Sequence, residues 1–475
     1  MTMWLPKLEQ FPGPRYQALA AAIEAAIRTG ELPVGAKLPP QRDLAWKLGV
    51  TVGTISRGYM LAEQKGLLSG EVGRGTFVKP IHPPGLHEAA NGNDGGVYQG
   101  EIVSLATPGV IELSHNEPSL PEYDEILRRS LQRLAGSRGL QHLLGYSRTL
   151  GDPAHRAAAA KWIGRTGLSI SADQVIVTAG AQQALAVAIA AMTMPNEPMM
   201  VESLTYGGVH ENARLRPARL EAVAMDEEGI IPEALAETAR RTGSRLVLVQ
   251  PTIHNPTTAT MSARRREDVV AVARKHDLTI IEDDVYGFVV RERPLPLAAL
   301  APERTIYIAS ASKCMAPGLR VGWMAAPPAL IERFADALHA YSVNNPRLNQ
   351  EIVRQWIEDG TAEMLVERLR EEAGIRNAMA AEILEGLNMR SHPASLHCYL
   401  ELPEPWQPND FTNQALGQGV RIASCTSFVP DNRANPPPWV RISLAPSPDR
   451  EQLAEGLRRL RSLLERGPSA RRAVV

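Results

Sequence analysis

The chain has 475 residues, of which 44% are hydrophobic and 22% charged, with a formal net charge of −1. This is ordinary globular usage with ample material for a large core, so wholesale disorder and a polycation coating nucleic acid along its whole length are both excluded. Cys314, Cys398 and Cys425 are too widely spaced for a disulfide framework or a zinc cluster. The N-terminus lacks a signal-peptide pattern, and the longest apolar run, Ala184 to Met194, is about half a membrane span, so a reduced, cytoplasmic setting is expected.

The length predicts roughly two to four domains. Residues 1–80 hold ten Lys/Arg and six Asp/Glu, against 41 and 46 in the remainder. A small basic head on a mildly acidic body implies two modules with different partners. In the head, over 11–80, the spacing predicts a first helix from Tyr16 to Thr29, with Leu19, Ile23 and Ile27 on one face. A second helix is expected to start at Pro39, with Leu44, Ala45 and Leu48 apolar, and to turn at Gly49-Val50. Thr51 then caps a third helix running to about Lys65, with Ile55 and Tyr59 buried. Two short helices joined by a tight glycine turn form a helix-turn-helix. The following Leu67-Leu68, the tip Gly70–Gly75, and Thr76-Phe77-Val78 read as a hairpin wing. In that geometry the third helix enters a DNA major groove. Thr51, Thr54 and Arg57 face the bases, Arg42 and Lys47 reach phosphates, and Arg74 at the wing tip reaches the backbone or minor groove.

Residues 31–78 resemble the winged-helix DNA-binding domain of the GntR family. The likeness lies in Gly35-Ala36-Lys37-Leu38-Pro39, Arg42-Asp43-Leu44-Ala45, Leu48-Gly49-Val50 and Gly73-Arg74-Gly75-Thr76-Phe77-Val78. Thr51-Val52 departs from the family, which commonly opens the third helix with Ser-Arg, and this removes one expected DNA contact. Residues 81–100, with five Gly and two adjacent Pro, read as a flexible linker spanning about 25 Å root-mean-square.

In the body, over 101–467, apolar strand-like runs alternate with helical ones. Gln174–Thr178 precedes Ala181–Met192, Leu246–Gln250 precedes Arg264–His276, and Thr279–Ile281 and Thr305–Ile308 follow. Such alternation predicts an α/β domain with a mainly parallel, buried sheet and ligands at the carboxyl ends of its strands. The first strand end opens a helix at Ala181-Gln182 after Gly180, a backbone anion site. The second leads to His254-Asn255-Pro256, the third to Glu282-Asp283-Asp284-Val285-Tyr286, and the fourth to Ser310-Ala311-Ser312-Lys313, with Arg320 seven residues on. Acidic residues ending an apolar strand require a partner such as a cation, a metal or a ring nitrogen.

One ligand with an aldehyde, a phosphate and a basic ring nitrogen satisfies all four ends: pyridoxal 5′-phosphate. Lys313 takes the aldehyde as a Schiff base, and Asp283 keeps the pyridine nitrogen protonated. Tyr286 and Asn255 bond its phenolic oxygen, and Ser310, Ser312, Arg320 and the amides of Ala181 and Gln182 bind the phosphate. No metal site is expected, because none of the eleven histidines has a ligand-spaced partner.

The ordered set also resembles fold-type I aminotransferases. The resemblance implies a large part at about 120–345 and a smaller α+β part at about 346–467. It further implies that Tyr206 stacks on the ring, that Arg441 in Val440-Arg441-Ile442-Ser443 binds a substrate carboxylate, and that Tyr146 reaches the partner subunit's phosphate. Thr258 and Ala394-Ser395 stand where the family commonly has glycine. A GntR head on such a body is the pattern of the MocR subfamily of bacterial regulators. That pattern implies a homodimer binding operator DNA and pyridoxal phosphate and sensing an amino compound. The alternative is a working aminotransferase with an ancillary head. The tail, 468–475, carries no motif.

Overall fold

The computed structural model describes residues 4–8, 11, 13–28, 31–32, 36–64, 67–71, 75–78, 109–216, 218–430 and 436–468. The wing-tip Arg74, the proposed linker and all but the first residue of the tail lie outside them. Two compact units are present, one within residues 1–99 and one within 100–475.

The head contains α1 (Arg15–Arg28), α2 (Gln41–Leu48), α3 (Val52–Gln64) and an antiparallel hairpin of β1 (Leu68–Glu71) and β2 (Gly75–Val78). Leu19, Ile23, Ile27, Leu44, Ala45, Ile55 and Tyr59 form its core, as their spacing predicts. The second helix begins two residues later than expected. Pro40 occupies the cap, and a residue that precedes proline is disfavoured in the helical region, which keeps Pro39 out of the helix. Gly49 turns the chain at φ +63°, and Thr51 Oγ1 accepts the Thr54 amide at 3.2 Å. α1 and α3 cross closely at Gly58, where a Cβ would lie 2.7 Å from Leu19 Cδ2.

The body begins with β3 (Ile111–Leu113), α4 (Tyr123–Ala135), α5 (Pro153–Gly164), β4 (Val175–Thr178) and α6 (Ala181–Met192). There follow β5 (Pro198–Glu202), α7 (Gly207–Leu215), β6 (Arg219–Val223), β7 (Met225–Asp226), β8 (Gly229–Ile230) and α8 (Pro232–Thr242). Next come β9 (Leu246–Val249), α9 (Ala263–Lys275), β10 (Thr279–Asp283), α10 (Leu297–Leu300), β11 (Thr305–Ser310) and β12 (Gly322–Ala325). The chain continues through α11 (Ile331–Tyr341), α12 (Arg347–Asp359), α13 (Thr361–Ile383), β13 (Met389–Arg390) and β14 (His397–Glu401). It closes with α14 (Pro408–Gly417), β15 (Val420–Ser424), β16 (Trp439–Ser443) and α15 (Arg450–Arg466).

The main sheet has seven strands in the order β4-β12-β11-β10-β9-β5-β6. It is parallel except for β12, which runs antiparallel to both β4 and β11. β4, β9 and β11 are buried along their whole length, as expected of strands covered on both faces. A second, five-stranded sheet has the order β13-β14-β16-β15-β3. Cys398, Leu400, Val440 and Ile442 alternate into a core shared with α15. The alternating residues His397, Tyr399, Trp439 and Arg441 face the other way, and His397 and Arg441 reach residues of the first sheet's loops. The expected division near residue 346 does not coincide with the packing. α12 and the first half of α13 fill the core under the main sheet through Trp356, Ile357 and Leu365, and α13 joins the second core, which also holds Ile111 and Leu113, only at Ala380.

Candidate functional site

The ends of β4, β10 and β11 and the loop after β9 converge, because hydrogen-bonded strands carry their termini to one rim. Ser310, Gly322 and Thr178 lie side by side across β11, β12 and β4. Glycine is required at two positions here. A Cβ on Gly322 would lie 2.4 Å from the Gly180 carbonyl carbon, and one on Gly180, at φ +84°, would lie 2.6 Å from Arg320 Nη2. The Arg320 guanidinium therefore rests against the N-terminus of α6. Arg320 Nη1 also donates to Ser312 Oγ at 3.4 Å, and the Ser312 amide donates to Ser310 Oγ at 3.3 Å. Gln182 Nε2 donates to the Gly208 carbonyl at 3.3 Å, and its Oε1 is buried without a hydrogen-bond partner among the described residues. A helix start, a guanidinium and two hydroxyls in one cup suit a phosphate.

The acidic triplet at the end of β10 divides between two faces. Glu282 accepts the amides of Leu297 and Ala298 at 2.9 and 2.8 Å. Asp284 accepts Arg293 and the Tyr307 hydroxyl, each at 2.6 Å. Asp283, between them, is buried and among the described residues accepts neutral donors only, Gln250 Nε2 at 2.8 Å and the Val285 amide at 3.4 Å. Burial pushes its carboxyl up to about 7, against the lowering effect of those hydrogen bonds. A buried carboxylate bonded to no cation fits a group that brings one, such as a protonated ring nitrogen.

Lys313, just beyond β11, donates through Nζ to the Asn116 carbonyl. Burial, and then the charge of Arg441, pull its amine down to about 8. Tyr286 is buried and its hydroxyl accepts Asn116 Nδ2 at 2.8 Å. Burial pushes that hydroxyl up to about 12. Arg441 is buried on β16, donates to Asn255 Oδ1 at 2.8 Å and to the Ser114 carbonyl, and lies 5.0 Å from the Phe428 ring. Tyr206, half-buried, precedes α7 and packs against the position of Gly208. Hydrogen bonds thus join Asp283 through Gln250 to Asn255 and Arg441, and Lys313 through Asn116 to Tyr286, while Lys313 directly follows Ser312 of the cup. Tyr146 is not among them: it is 85% exposed.

Asn116, His397 and Gln250 join the site without having been expected from the sequence. Gln250 is the last residue of a predicted strand, and alternation along His397-Cys398-Tyr399 marks His397 as a residue of the inward row. Asn116 sits in a Ser-His-Asn-Glu-Pro turn that looks like ordinary loop chemistry.

On the head, Arg42, Lys47, Thr51 and Arg57 are all exposed. Thr54 is half-buried, and its hydroxyl is 2.9 Å from that of Thr51, so the two are partly engaged with each other. Trp46, 83% exposed on α2 between Arg42 and Lys47, adds an aromatic ring to this face that the helical spacing alone does not mark. No group of three or more His, Cys, Asp or Glu among the described residues could hold a metal ion.

Comparison with known proteins identifies the family and the fold. Residues 108–460 match the family Aminotransferase class I and II, and residues 15–78 match Bacterial regulatory proteins, gntR family. An uncharacterised HTH-type transcriptional regulator of Bacillus subtilis, YdeF, is 31% identical over 463 residues, 97% of each chain. The 2-aminoadipate transaminase of Thermus thermophilus is 29% identical over 76% of this chain and 91% of its own. Among solved structures, the α-aminoadipate aminotransferase of Thermus thermophilus, complexed with N-(5′-phosphopyridoxyl)-L-leucine, superposes with a TM-score of 0.69. It is 28% identical and covers 76% of this chain and 93% of its own. The kynurenine aminotransferase of Pyrococcus horikoshii, solved with PMP, gives 0.71 at 24% identity over 77% of this chain and 93% of its own, a likeness of fold. Homologues of this fold are pyridoxal-phosphate dependent, and the cup, Asp283 and Lys313 suit that cofactor. The chain belongs to the aminotransferase class I and II family and joins that fold to a gntR-type winged helix, the architecture of the MocR regulators.

Proposed function

We propose that this chain is a DNA-binding transcriptional regulator whose body binds pyridoxal phosphate and senses an amino compound. The observation that carries the reading is Asp283, a buried carboxylate bonded to no cation among the described residues, in a site that also holds Lys313 and the anion cup, in a chain with a winged-helix head. Residues 11–80 form the head, 81–100 the linker and 101–467 the sensing body, with 468–475 as the tail. The partners are operator DNA, a small amino compound and a second copy of the chain, whose phosphate cup Tyr146 completes. The setting is cytoplasmic; among the described residues no helix is long and apolar enough to cross a membrane.

The cofactor, when bound, supplies an aldehyde for amines and a ring that draws electrons from the carbon bearing the amino group. The chain's own residues do the rest. Ser310, Ser312, Arg320 and the amides of Ala181 and Gln182 hold the phosphate. Asp283 keeps a proton on the ring nitrogen. Tyr206 covers one face of the ring, and Tyr286 and Asn255 bond its phenolic oxygen. Lys313, with its amine near 8, is partly neutral at physiological pH and so serves as a nucleophile and proton carrier. Arg441 offers a guanidinium fork to a carboxylate and exchanges the Ser114 carbonyl for it. On the head, Arg42, Lys47 and Arg74 contact the DNA backbone, and Thr51, Thr54 and Arg57 contact bases. A ligand shifts DNA affinity to the extent that it binds two arrangements of the dimer with different free energies.

Mobility shifts on the DNA upstream of the gene, with pyridoxal phosphate and amino acids added singly, test the reading. Ligand-dependent shifts support it; no binding to any upstream fragment overturns it. The Arg441 fork also favours a second reading, an active aminotransferase. Turnover of amino acids with pyruvate or 2-oxoglutarate that disappears in Lys313→Ala would establish that activity.

A further inference from the structure

We propose that Asn116 is a positioning residue for Tyr286, its carboxamide fixing the tyrosine hydroxyl as a donor toward the phenolic oxygen of the cofactor. The proposal rests on the cofactor reading above and concerns a side chain that the reading does not use.

His397 lies on the inward row of β14. Its Nε2 is 3.4 Å from the His254 backbone carbonyl, which can only accept. Nε2 therefore carries a hydrogen. The ring is fully buried, and burial, followed by the nearby charge of Arg441, holds its pKa well below the ordinary histidine value. A neutral ring with its hydrogen on Nε2 has an acceptor at Nδ1. Ser395 Oγ, 3.4 Å from Nδ1, directs its own hydrogen to the His397 carbonyl at 2.6 Å. The donor to Nδ1 is thus Asn116 Nδ2, at 2.9 Å.

This fixes the orientation of the Asn116 amide, which a lone carboxamide would leave ambiguous. One N–H points at His397, and the other at Tyr286 Oη, 2.8 Å away. The tyrosine oxygen accepts from Asn116, so its own hydrogen must point elsewhere. Asn116 is 6% exposed, and its backbone carbonyl accepts Lys313 Nζ. One residue therefore touches both the reactive amine and the tyrosine. The charged and titratable groups facing Tyr286 are Arg441, Asp283, Tyr206 and His397, whose ring centroid is 5.9 Å away, and those facing Lys313 add Glu117 and Arg320. A change at Asn116 removes none of these groups and takes a hydrogen-bond partner only from His397, which burial keeps neutral.

The test follows the visible absorbance of the full-length protein with pyridoxal phosphate against pH. Wild type, Asn116→Ala, Tyr286→Phe and the double variant are compared. A well-aimed hydrogen bond to the phenolic oxygen spreads its negative charge and weakens its hold on the neighbouring proton, which lowers the midpoint. Asn116→Ala is expected to raise the midpoint by about half a pH unit, and to do nothing in the Tyr286→Phe background. Asn116→Asp keeps the shape but turns the tyrosine hydrogen inward, so its midpoint rises further. Equal shifts in both backgrounds, or no shift in either, would overturn the proposal. So would loss of cofactor from both Asn116 variants while Tyr286→Phe retains it, because a residue acting through Tyr286 cannot matter more than Tyr286 itself. A wild-type protein with no visible band at all overturns the cofactor reading instead.

Discussion

Gln250 ties Asp283 to the far side of the site: its Nε2 donates to Asp283 Oδ2 at 2.8 Å while its Oε1 accepts the Asn255 amide at 3.1 Å. Asn255 in turn holds Arg441 through Oδ1. The carboxylate assigned to the ring nitrogen and the guanidinium assigned to the substrate thus share one buried hydrogen-bonded chain. Gln250→Leu removes a donor and an acceptor at once and leaves the Asn255 amide and Asp283 Oδ2 short of partners. The expected cost is about 1–3 kcal/mol. It is read as a lower melting temperature and a cofactor affinity reduced by roughly tenfold.

Asp283 sets a pH dependence. Unfolded, its carboxyl ionises near its ordinary 3.8; buried, it is pushed up to about 7. The folded cofactor-free state therefore holds an extra proton between those values. Its stabilising contribution is complete below 3.8 and is lost as pH rises toward 7. Asp283→Asn should remove this slope. Melting temperatures of the cofactor-free proteins between about pH 5 and 7.5 check it: the wild-type curve should fall relative to the variant. Parallel curves would place the ionisable group elsewhere. The gain in melting temperature on adding pyridoxal phosphate should grow over the same interval, because the bound ring nitrogen supplies the missing cation.

Lys313 should be the point of covalent attachment. Borohydride reduction followed by peptide mass analysis should find a pyridoxyl adduct on the fragment spanning residue 313, and Lys313→Ala should lack both the adduct and the visible band. The rate of reconstitution with cofactor should climb with pH through about 8, as the amine loses its proton. A rate independent of pH would remove Lys313 as the nucleophile.

Gly322 lies against the phosphate cup. Gly322→Ala sets a methyl group 2.4 Å from the Gly180 carbonyl carbon and 2.8 Å from the Ala181 amide nitrogen, and backbone on both sides must give way. Overpacking of this kind costs about 1–3 kcal/mol. Fluorescence titration with pyridoxal phosphate should show weaker binding. Unchanged affinity would mean the phosphate sits away from the start of α6.

The head is tested by salt. Arg42→Ala combined with Arg57→Ala should weaken DNA binding, and the slope of log affinity against log salt should become shallower by roughly 0.9 for each phosphate no longer neutralised. An unchanged slope would argue against α2 lying along the backbone.

Much of this was legible in the sequence, for a physical reason. A strand buried on both faces must be apolar throughout, so the polar residues that end it stand out, and four such ends delivered Asp283, Lys313, Asn255 and Ala181. What stayed hidden depends on distant pairing. β3 joins β15 across roughly three hundred residues of chain, and nothing near Ile111 announces that partner. Asn116 acquires its role only because that pairing brings the turn after β3 over Lys313. A histidine in a strand, such as His397, shows its tautomer only when both ring nitrogens have visible partners. The place of α12 stayed hidden as well, because an amphipathic helix does not declare which core it covers.

β3 has one more implication. Among the described residues it is the first strand of the body, and the next three residues bring the Ser114 carbonyl to Arg441 and the Asn116 carbonyl to Lys313. The strand pairing that fixes β3 beside β15 thus also fixes those two carbonyls, with no spacer between. A carboxylate offered to Arg441 would therefore compete with main chain rather than with a side chain, so no substitution at position 114 can abolish that rivalry.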